Sequence, residues 1–416
     1  MEKLTACFEI SSDAIKVLIG YELGDAPVVL YRVRKVMPEQ IKEGQITDPN
    51  GLIRALAELH NLVDEPAHLR ISISEIYFVL PPIGLMVYES DKTTNVVAPN
   101  NEIAKIDISN VVSLVKKEAI PGGNVIVDII PDEFVLEDGQ RFNNPPLGKK
   151  SVSLTIKAKI HSLPSKVPAT YNKLLTQAGF RVRRASVSTY CIAELFKTYQ
   201  ELPTSYVLID MGGRLTTVSL IGRGAPYSSA SFFRGGDDLT EAIAASLETT
   251  FAAAEKLKVE YGYRAVTHAY EPPLPIDDDY ARENPFYQRH LNGIISTFFE
   301  SYQAVLSNAV SSLLSRYGGK YDSLPVVITG GASRLYGIRP FLEQALPGRE
   351  LSFPLPRSIG ARDAGFSALL GLLINSGKYV GSLEDNYHGV GSVSRVSKEK
   401  KTARPSRGNN PDTDAL

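Results

Sequence analysis

VLIDMGGRLTTVSLIG, residues 207–222, runs an apolar strand into a carboxylate, two glycines and a second apolar strand. Glycine carries no Cβ, so such a turn brings backbone N–H groups close to a phosphate. Arg214 and Leu215 stand where more glycine or threonine would suit that turn. ACFEISSDAIKVLIG, residues 6–20, repeats the pattern with few identities. With Glu9 set opposite Asp210, each copy has an apolar strand, a carboxylate, a small-residue turn and a second strand reaching a glycine. A further strand follows each, APVVLYRVRKV and APYSSASFFRG, and each copy opens a long α/β stretch. This reads as a duplicated core of two lobes.

The totals narrow the function classes. A chain of 416 residues accommodates two or more domains with cores of their own. With 43% hydrophobic and 22% charged residues, it has the composition of a globular protein. A formal net charge of -1 leaves no global basic field, so nucleic acid is not an expected partner. Only Cys7 and Cys191 carry thiols, which argues against a disulfide framework or cysteine metal site and fits a reducing compartment. MEKLTACFEI lacks a basic segment followed by an apolar run, so no signal peptide is expected. No stretch reaches the roughly 18 apolar residues of a membrane span. IYFVLPPIGLMVY comes nearest and is broken by Pro81 and Pro82. The six histidines do not cluster, HExxH is absent, and His60 reads as decoration of the helical run GLIRALAELHNLV.

Periodicity sets out the other elements. SVSLTIKAKIH alternates strictly, placing Val152, Leu154, Ile156, Ala158 and Ile160 on one strand face. SKVPATYNKLLTQAG predicts a helix ended by Gly179, and STYCIAELFKTYQ a second helix. Residues 284–319 predict a long helix closed by Gly318 and Gly319, and LPVVITGG a buried strand entering a glycine turn. DAGFSALLGLLI predicts a late apolar helix. Met86 to His161 reads as an insertion, HAYEPPLPIDDDYAREN as a polar surface loop, and the chain beyond Asn375 as a disordered tail.

Four stretches converge on one chemistry. The first hairpin offers Glu9, Ser11 and Ser12; the second offers Asp210, Gly212, Gly213, Thr216 and Thr217. RGGDDLTEAIAASL puts Gly235 and Gly236 at the start of a helix, whose free N–H groups and dipole favour an anion. TGGASRLYGIRPFL sets Gly330 and Gly331 between strand and helix, where a base or diphosphate can lie on the backbone. Two facing hairpins with one carboxylate each, holding Mg²⁺ through waters, suit ATP. Glu255 and Lys258, three apart on one helix face, suit a ribose or base. Taken singly, a GG turn is a plain hairpin, Asp237 and Asp238 are helix caps, and Glu255 with Lys258 is a surface pair. Their order and spacing together are far more specific.

On these stretches the sequence resembles the actin/sugar-kinase/heat-shock-chaperone ATPase superfamily, and within it the FtsA cell-division family. RGGDDLTEAIAASLETTFAAAEKLKVEYG and VVITGGASRLYGI follow the family pattern, and IIPDEFVLEDGQRFNNPPLGKKSVSL resembles its inserted 1C subdomain. The resemblance covers roughly residues 5 to 378. It implies an α/β, actin-like two-lobe fold with a duplicated ribonuclease-H-like core. The implied division is 1–85 and 164–204 for the lobe-one core, 86–163 for 1C and 205–235 with 296–378 for the lobe-two core. Residues 236–295 form the 2B-like subdomain, and 379–416 a disordered basic tail.

The implied cofactors are ATP and Mg²⁺. Ser12, Asp210, Gly212, Gly213, Thr216, Gly235, Gly236, Glu255, Lys258, Gly330 and Gly331 would hold the nucleotide, and Glu9 and Asp210 the metal. No catalytic residue is assigned. The implied role is polymerisation at the cytoplasmic membrane face of the division site. There the 2B-like subdomain would meet the FtsZ tail, and 1C the later division proteins.

Departures from the family pattern fall in both hairpins. EISSD replaces a stretch like Asp-Ile-Gly-Thr-Ser, so Ser11 is expected to strain a turn built for glycine. In DMGGRLTT, Arg214 replaces a glycine and Thr217 an aspartate; Arg214 either pairs with a phosphate or blocks the cleft. Weak ATPase activity at most follows, and a nucleotide-free scaffold or a PilM-like pilus protein are the alternatives. The tail offers Arg395, Lys398, Lys400, Lys401, Arg404 and Arg407 but no apolar face, which allows electrostatic membrane contact without a helical anchor.

Overall fold

Both carboxylate-bearing segments fold as hairpins that open equivalent sheets. The computed structural model describes residues 4–24, 26–37, 41–42, 44–64, 69–266, 271–276, 285–321, 323–379 and 392–395. The chain begins with β1 (Thr5–Ile10), β2 (Ala14–Leu23) and β3 (Ala26–Val36), followed by α1 (Pro49–Ala57) and β4 (Glu75–Leu80). The insertion contributes β5 (Met86–Asn95), α2 (Lys105–Lys116), β6 (Asn124–Leu136) and β7 (Ser153–Pro164). Lobe one resumes with α3 (Lys166–Gln177), β8 (Arg181–Val187) and α4 (Ser188–Phe196). Lobe two follows as β9 (Tyr206–Met211), β10 (Thr216–Gly222), β11 (Ala225–Phe232), α5 (Gly236–Ser246), α6 (Phe251–Glu260) and α7 (Gln288–Ser315). It closes with β12 (Val326–Thr329), α8 (Arg339–Ala345), β13 (Leu351–Ser352) and α9 (Ser367–Tyr379).

The lobe-one sheet has the order β8-β4-β1-β2-β3, and the lobe-two sheet β13-β12-β9-β10-β11. In each, three meandering strands are antiparallel and the other two join parallel to the first. Order and sense agree strand for strand. The insertion is a separate antiparallel sheet in which β7 lies between β6 and β5. Leu154, Ile156, Ala158 and Ile160 of β7 pack with Ile108, Val111 and Val115 of α2 in one core. Val152 was expected on that face but is 52% exposed, because it precedes the strand.

A core shared by both lobes joins the sheets. Leu369, Leu370, Leu372, Leu373 and Ile374 of α9 pack with Cys7, Leu18 and Tyr77 of lobe one and with Leu208, Ile221 and Val327 of lobe two. The helix approaches α4 so closely that a Cβ on Gly371 would overlap the Cys191 carbonyl.

Several expectations need correction. His60 lies in the turn after α1, its ring nitrogens each 2.7 Å from the Ile73 and Ala178 carbonyl oxygens. Its ring stacks on Phe180, so it ties three segments together rather than decorating a helix. Leu274 and Ile276, placed in a surface loop, are buried in the lobe-two core; residues 267–270 and 277–284 of that stretch lie outside the described residues. The last helix continues past Asn375 to Tyr379, and Ser392–Arg395 forms a strand against Leu69–Ser72. The rest of the tail, 380–391 and 396–416, lies outside the described residues. Among the described residues, no helix is long and apolar enough to cross a membrane.

Two glycines in helices test this packing. Gly371→Ala is expected to lower unfolding free energy by about 1–3 kcal/mol or more, because the methyl has nowhere to go. Gly293 of α7 faces open space, so Gly293→Ala is expected to add about 0.5–1 kcal/mol through helix propensity. Denaturant titration of both variants measures the difference.

Candidate functional site

The first hairpin puts Glu9 directly across from Lys16 in the β1–β2 register. The Lys16 ammonium donates to Glu9 Oε1 at 3.3 Å and to the Gly365 carbonyl at 2.9 Å. Burial pulls that ammonium down, but Glu9, Asp13 and Asp210 outweigh it and hold it above the ordinary lysine value. Glu9 Oε2 is buried with no protein partner. Asp210, at the equivalent position of the second hairpin, is pushed up to about 6, first by burial and then by the Glu9 charge, against the pull of Lys16. Two half-buried carboxylates thus lie in the field of one ammonium, which is paired with Glu9. An unpaired carboxylate oxygen in such a place fits a hydrated divalent cation, which binds through oxygen ligands and waters.

Ser11 was expected to strain its turn. Its φ is not positive; its hydroxyl donates to Asp13 Oδ1 at 2.8 Å and to the Ala14 carbonyl at 2.9 Å, which fixes the turn. Two glycines are required for steric reasons. A Cβ on Gly213 would stand 2.5 Å from Ser12 Oγ and Asp237 Oδ2. Gly330 has φ +91°, and a Cβ there would stand 2.5 Å from Asp210 Oδ1.

The start of α5 differs from its sequence reading. Gly235 N donates to Asp238 Oδ2 at 2.7 Å, Gly236 N to the Gly212 carbonyl at 3.0 Å and Asp237 N to the Gly213 carbonyl at 2.7 Å. These three amides are engaged by protein, so they are not the free anion donors expected. Asp237 also accepts from Ser12 Oγ at 3.1 Å, bridging the two lobes across the mouth of the cleft. Burial and the Asp13 charge push Asp237 up to about 6, against Lys258, Ser12 and Arg214.

Arg214 neither reaches across the cleft nor blocks it. Its guanidinium pairs with Glu241 and lies 3.5 Å from Asp238 and 3.9 Å from Asp237. The Glu241 hydrogen bond, opposed by desolvation and aided by the three carboxylate charges, raises its already high pKa.

Glu9, Ser12, Asp210, Gly212 and Gly213 line one cleft together with Arg214 and Thr217. Thr216 turns away: it is fully buried, its hydroxyl donates to the Arg234 carbonyl at 2.7 Å and sits 2.8 Å from the Tyr302 hydroxyl. Beside the cleft, Lys258 Nζ donates to the Gly236 carbonyl at 2.9 Å, to Thr240 Oγ1 at 2.7 Å and to Glu255 Oε2 at 2.6 Å. Gly236 in turn lies against Ala332, next to Gly330 and Gly331. Gly236, Glu255 and Lys258 are therefore linked to one another, while Gly235, Gly236, Glu255, Lys258, Gly330 and Gly331 are not among the residues lining the cleft.

Sequence reasoning missed Lys16, whose signal was a lone lysine in the apolar run AIKVLIG opposite Glu9. It also missed Pro81, Pro82, Tyr171, Ser188 and Phe233, which line the cleft.

Comparison with known proteins bears on this geometry. The family model described as cell division protein FtsA matches residues 207–371, and that of the SHS2 domain inserted in FtsA matches residues 87–162. The chain belongs to the FtsA family of cell-division proteins. The Enterococcus hirae cell division protein FtsA is 26% identical to this FtsA-like chain over 371 residues, 88% of this chain and 81% of that one. The Bacillus subtilis FtsA is 22% identical over 386 residues, 89% and 83% of the two chains. Among solved structures, the PilM–PilN type IV pilus biogenesis complex aligns with TM-score 0.55 at 16% identity, covering 91% of this chain and 99% of that one. MreB 5 of Spiroplasma citri bound to AMPPNP aligns with TM-score 0.51 at 10% identity, covering 89% and 94%. These likenesses establish the actin-like two-lobe fold of the FtsA-like chain.

The raised Asp210 gives a pH test. A carboxylate whose folded pKa exceeds its unfolded value favours folding below the unfolded value, and that contribution is lost as pH rises through the folded one. Asp210 therefore costs stability progressively from about pH 4 to about pH 6 and throughout the range above. Asp210→Asn is expected to be more stable than the parent at pH 7.5, by on the order of 1–3 kcal/mol. The two should converge near pH 4, as followed by thermal melts across pH. A gap independent of pH would contradict the buried ionised carboxylate.

Proposed function

We propose that this FtsA-like chain binds ATP with Mg²⁺ between its lobes, polymerises, and links FtsZ to the cytoplasmic membrane face and to later division proteins. The observation that carries the nucleotide reading is the facing pair of hairpins with Glu9 and Asp210 half-buried near Lys16. Mg²⁺ would supply charge neutralisation for the phosphates, held through water by Glu9 and Asp210. Ser12, Gly212 and Gly213 would take the phosphates. Gly235, Gly236, Gly330 and Gly331 would pack on the adenosine, with Glu255 and Lys258 toward its ribose or base. Thr216 supports the second hairpin from behind through Tyr302. MreB5 of Spiroplasma citri, similar in fold, is described in one structure as bound to AMPPNP and in another as bound to ADP, which supports the same use of the cleft here.

In this reading residues 236–295 meet the FtsZ tail, 86–163 meet later division proteins, and copies of the chain associate into filaments. The match to the inserted FtsA domain at 87–162 favours this role over a PilM-like one. The Ser12–Asp237 bridge favours a second reading, a scaffold of the same fold that works without nucleotide.

Calorimetry with ATP and Mg²⁺ separates the two. Micromolar binding is expected, with Asp210→Ala weakening it by about tenfold or more, or about 1.4 kcal/mol. Co-sedimentation with FtsZ is the second measurement. Co-assembly without nucleotide binding would establish the scaffold, and absence of both would overturn the proposal.

A further inference from the structure

The hairpin Asn61–Asp64 and Leu69–Ser72 is anchored to lobe one through Leu62 and Ile71, which lie in its core. Two short strands alone are marginal in water, and the outer one leaves a row of unpaired N–H and C=O groups. Here a third strand completes the sheet. Ser392–Arg395 runs antiparallel to it, with Ser392 opposite Ser72, Val393 opposite Ile71, Ser394 opposite Arg70 and Arg395 opposite Leu69. The chain leaves the shared core at the end of α9, Tyr379, and returns to lobe one at Ser392.

We infer that the edge strand Leu69–Ser72 is a docking site for the chain's own C-terminal segment Ser392–Arg395, which acts as a reversible strap on lobe one. The occupant follows from the pairing itself, since the segment belongs to the same chain and supplies the missing edge. Four residues of pairing are enough to order the segment and few enough to let it lift, because local openings of short edge elements lie at the low end of a protein's stability range. Lys398, Lys400, Lys401, Arg404 and Arg407 follow in the sequence. When the strap lifts, the same edge is open to another extended peptide by strand addition.

Hydrogen exchange on the full-length chain tests this without reference to nucleotide. Proline cannot donate to a ladder and disfavours strand geometry in the residue before it. Val393→Pro is therefore expected to speed exchange of those 69–72 amides that face the strap by about tenfold or more, leaving those that face Asn61–Asp64 and those of α5 unchanged. A second variant reports proximity. Opposed residues in an antiparallel pair have Cα atoms about 4.5–5.5 Å apart, within disulfide range. Cys7 and Cys191 are fully buried and do not compete. Arg70→Cys with Ser394→Cys is expected to oxidise, in dilute protein, to a cross-link of monomer mass, and Arg70→Cys with Ser312→Cys, on the exposed face of α7 in lobe two, to do so far more slowly. Equal exchange at 69–72 with and without Val393→Pro, equal cross-linking in the two cysteine pairs, or cross-links only between chains would overturn the inference.

Discussion

Glu9 and Asp210 end equivalent strands of two equivalent sheets, and the fold half-buries both carboxylates in the field of the Lys16 ammonium. Burying charge costs free energy unless it is paired, and one ammonium does not neutralise two carboxylates. The arrangement persists because the surrounding structure holds it. The core around α9 joins the sheets, and the Gly365 carbonyl before that helix accepts a second hydrogen bond from Lys16. The Gly330 turn passes against Asp210 where a side chain would not fit. The shared core, the Gly330 turn and the hairpins are thus parts of one constraint, the placement of two acids.

The mouth of the cleft follows a related rule. Asp237, Asp238 and Glu241 crowd the first turns of α5, where negative charge is favoured by the helix dipole but repels itself. Arg214 meets all three, which explains an arginine in a turn that suits glycine. Because its charge is spent within lobe two, the bridge between lobes is left to the Ser12 hydroxyl on Asp237. The Ser12 hydroxyl is thus at once part of the cleft lining and a contact between lobes.

What the sequence disclosed is what local periodicity encodes. Alternation predicted β7, three- and four-residue steps predicted α7, and the repeated strand–carboxylate–turn predicted two hairpins whose sheets prove identical in order. What it withheld depends on pairing between distant segments. Ser12 and Asp237 are 225 positions apart, and Arg214 and Glu241 are 27 apart. The first amides of α5 read as free because nothing local shows that the Gly212 and Gly213 carbonyls reach them. Thr216 and Thr217 read alike, yet strand alternation sends one hydroxyl to Tyr302 and leaves the other lining the cleft. The tail read as disordered because a four-residue strand has no pattern until its partner edge is known.

The insertion is rooted on both lobes. Asp128 of β6 pairs with Arg184 of β8 and accepts from Ser186 Oγ at 2.6 Å, fixing the root to lobe one. Lys159 of β7 is nearly buried, 3.0 Å from both Asp132 oxygens, with its ammonium 4.9 Å from the centre of the Tyr227 ring in lobe two. Tyr227 lies on β11, whose far end runs through Ser231, bonded to Thr217, to Phe233 at the cleft. One rigid strand therefore touches the insertion at one end and the cleft at the other. Any change in the angle between lobes must either carry Tyr227 with it or break its contact with Lys159. A desolvated ammonium is held in place by both its carboxylate and the ring face, so breaking that contact is not free. The insertion and the cleft are thus connected through the contacts of one strand, Lys159 to Tyr227 at one end and Thr217 to Ser231 toward the other.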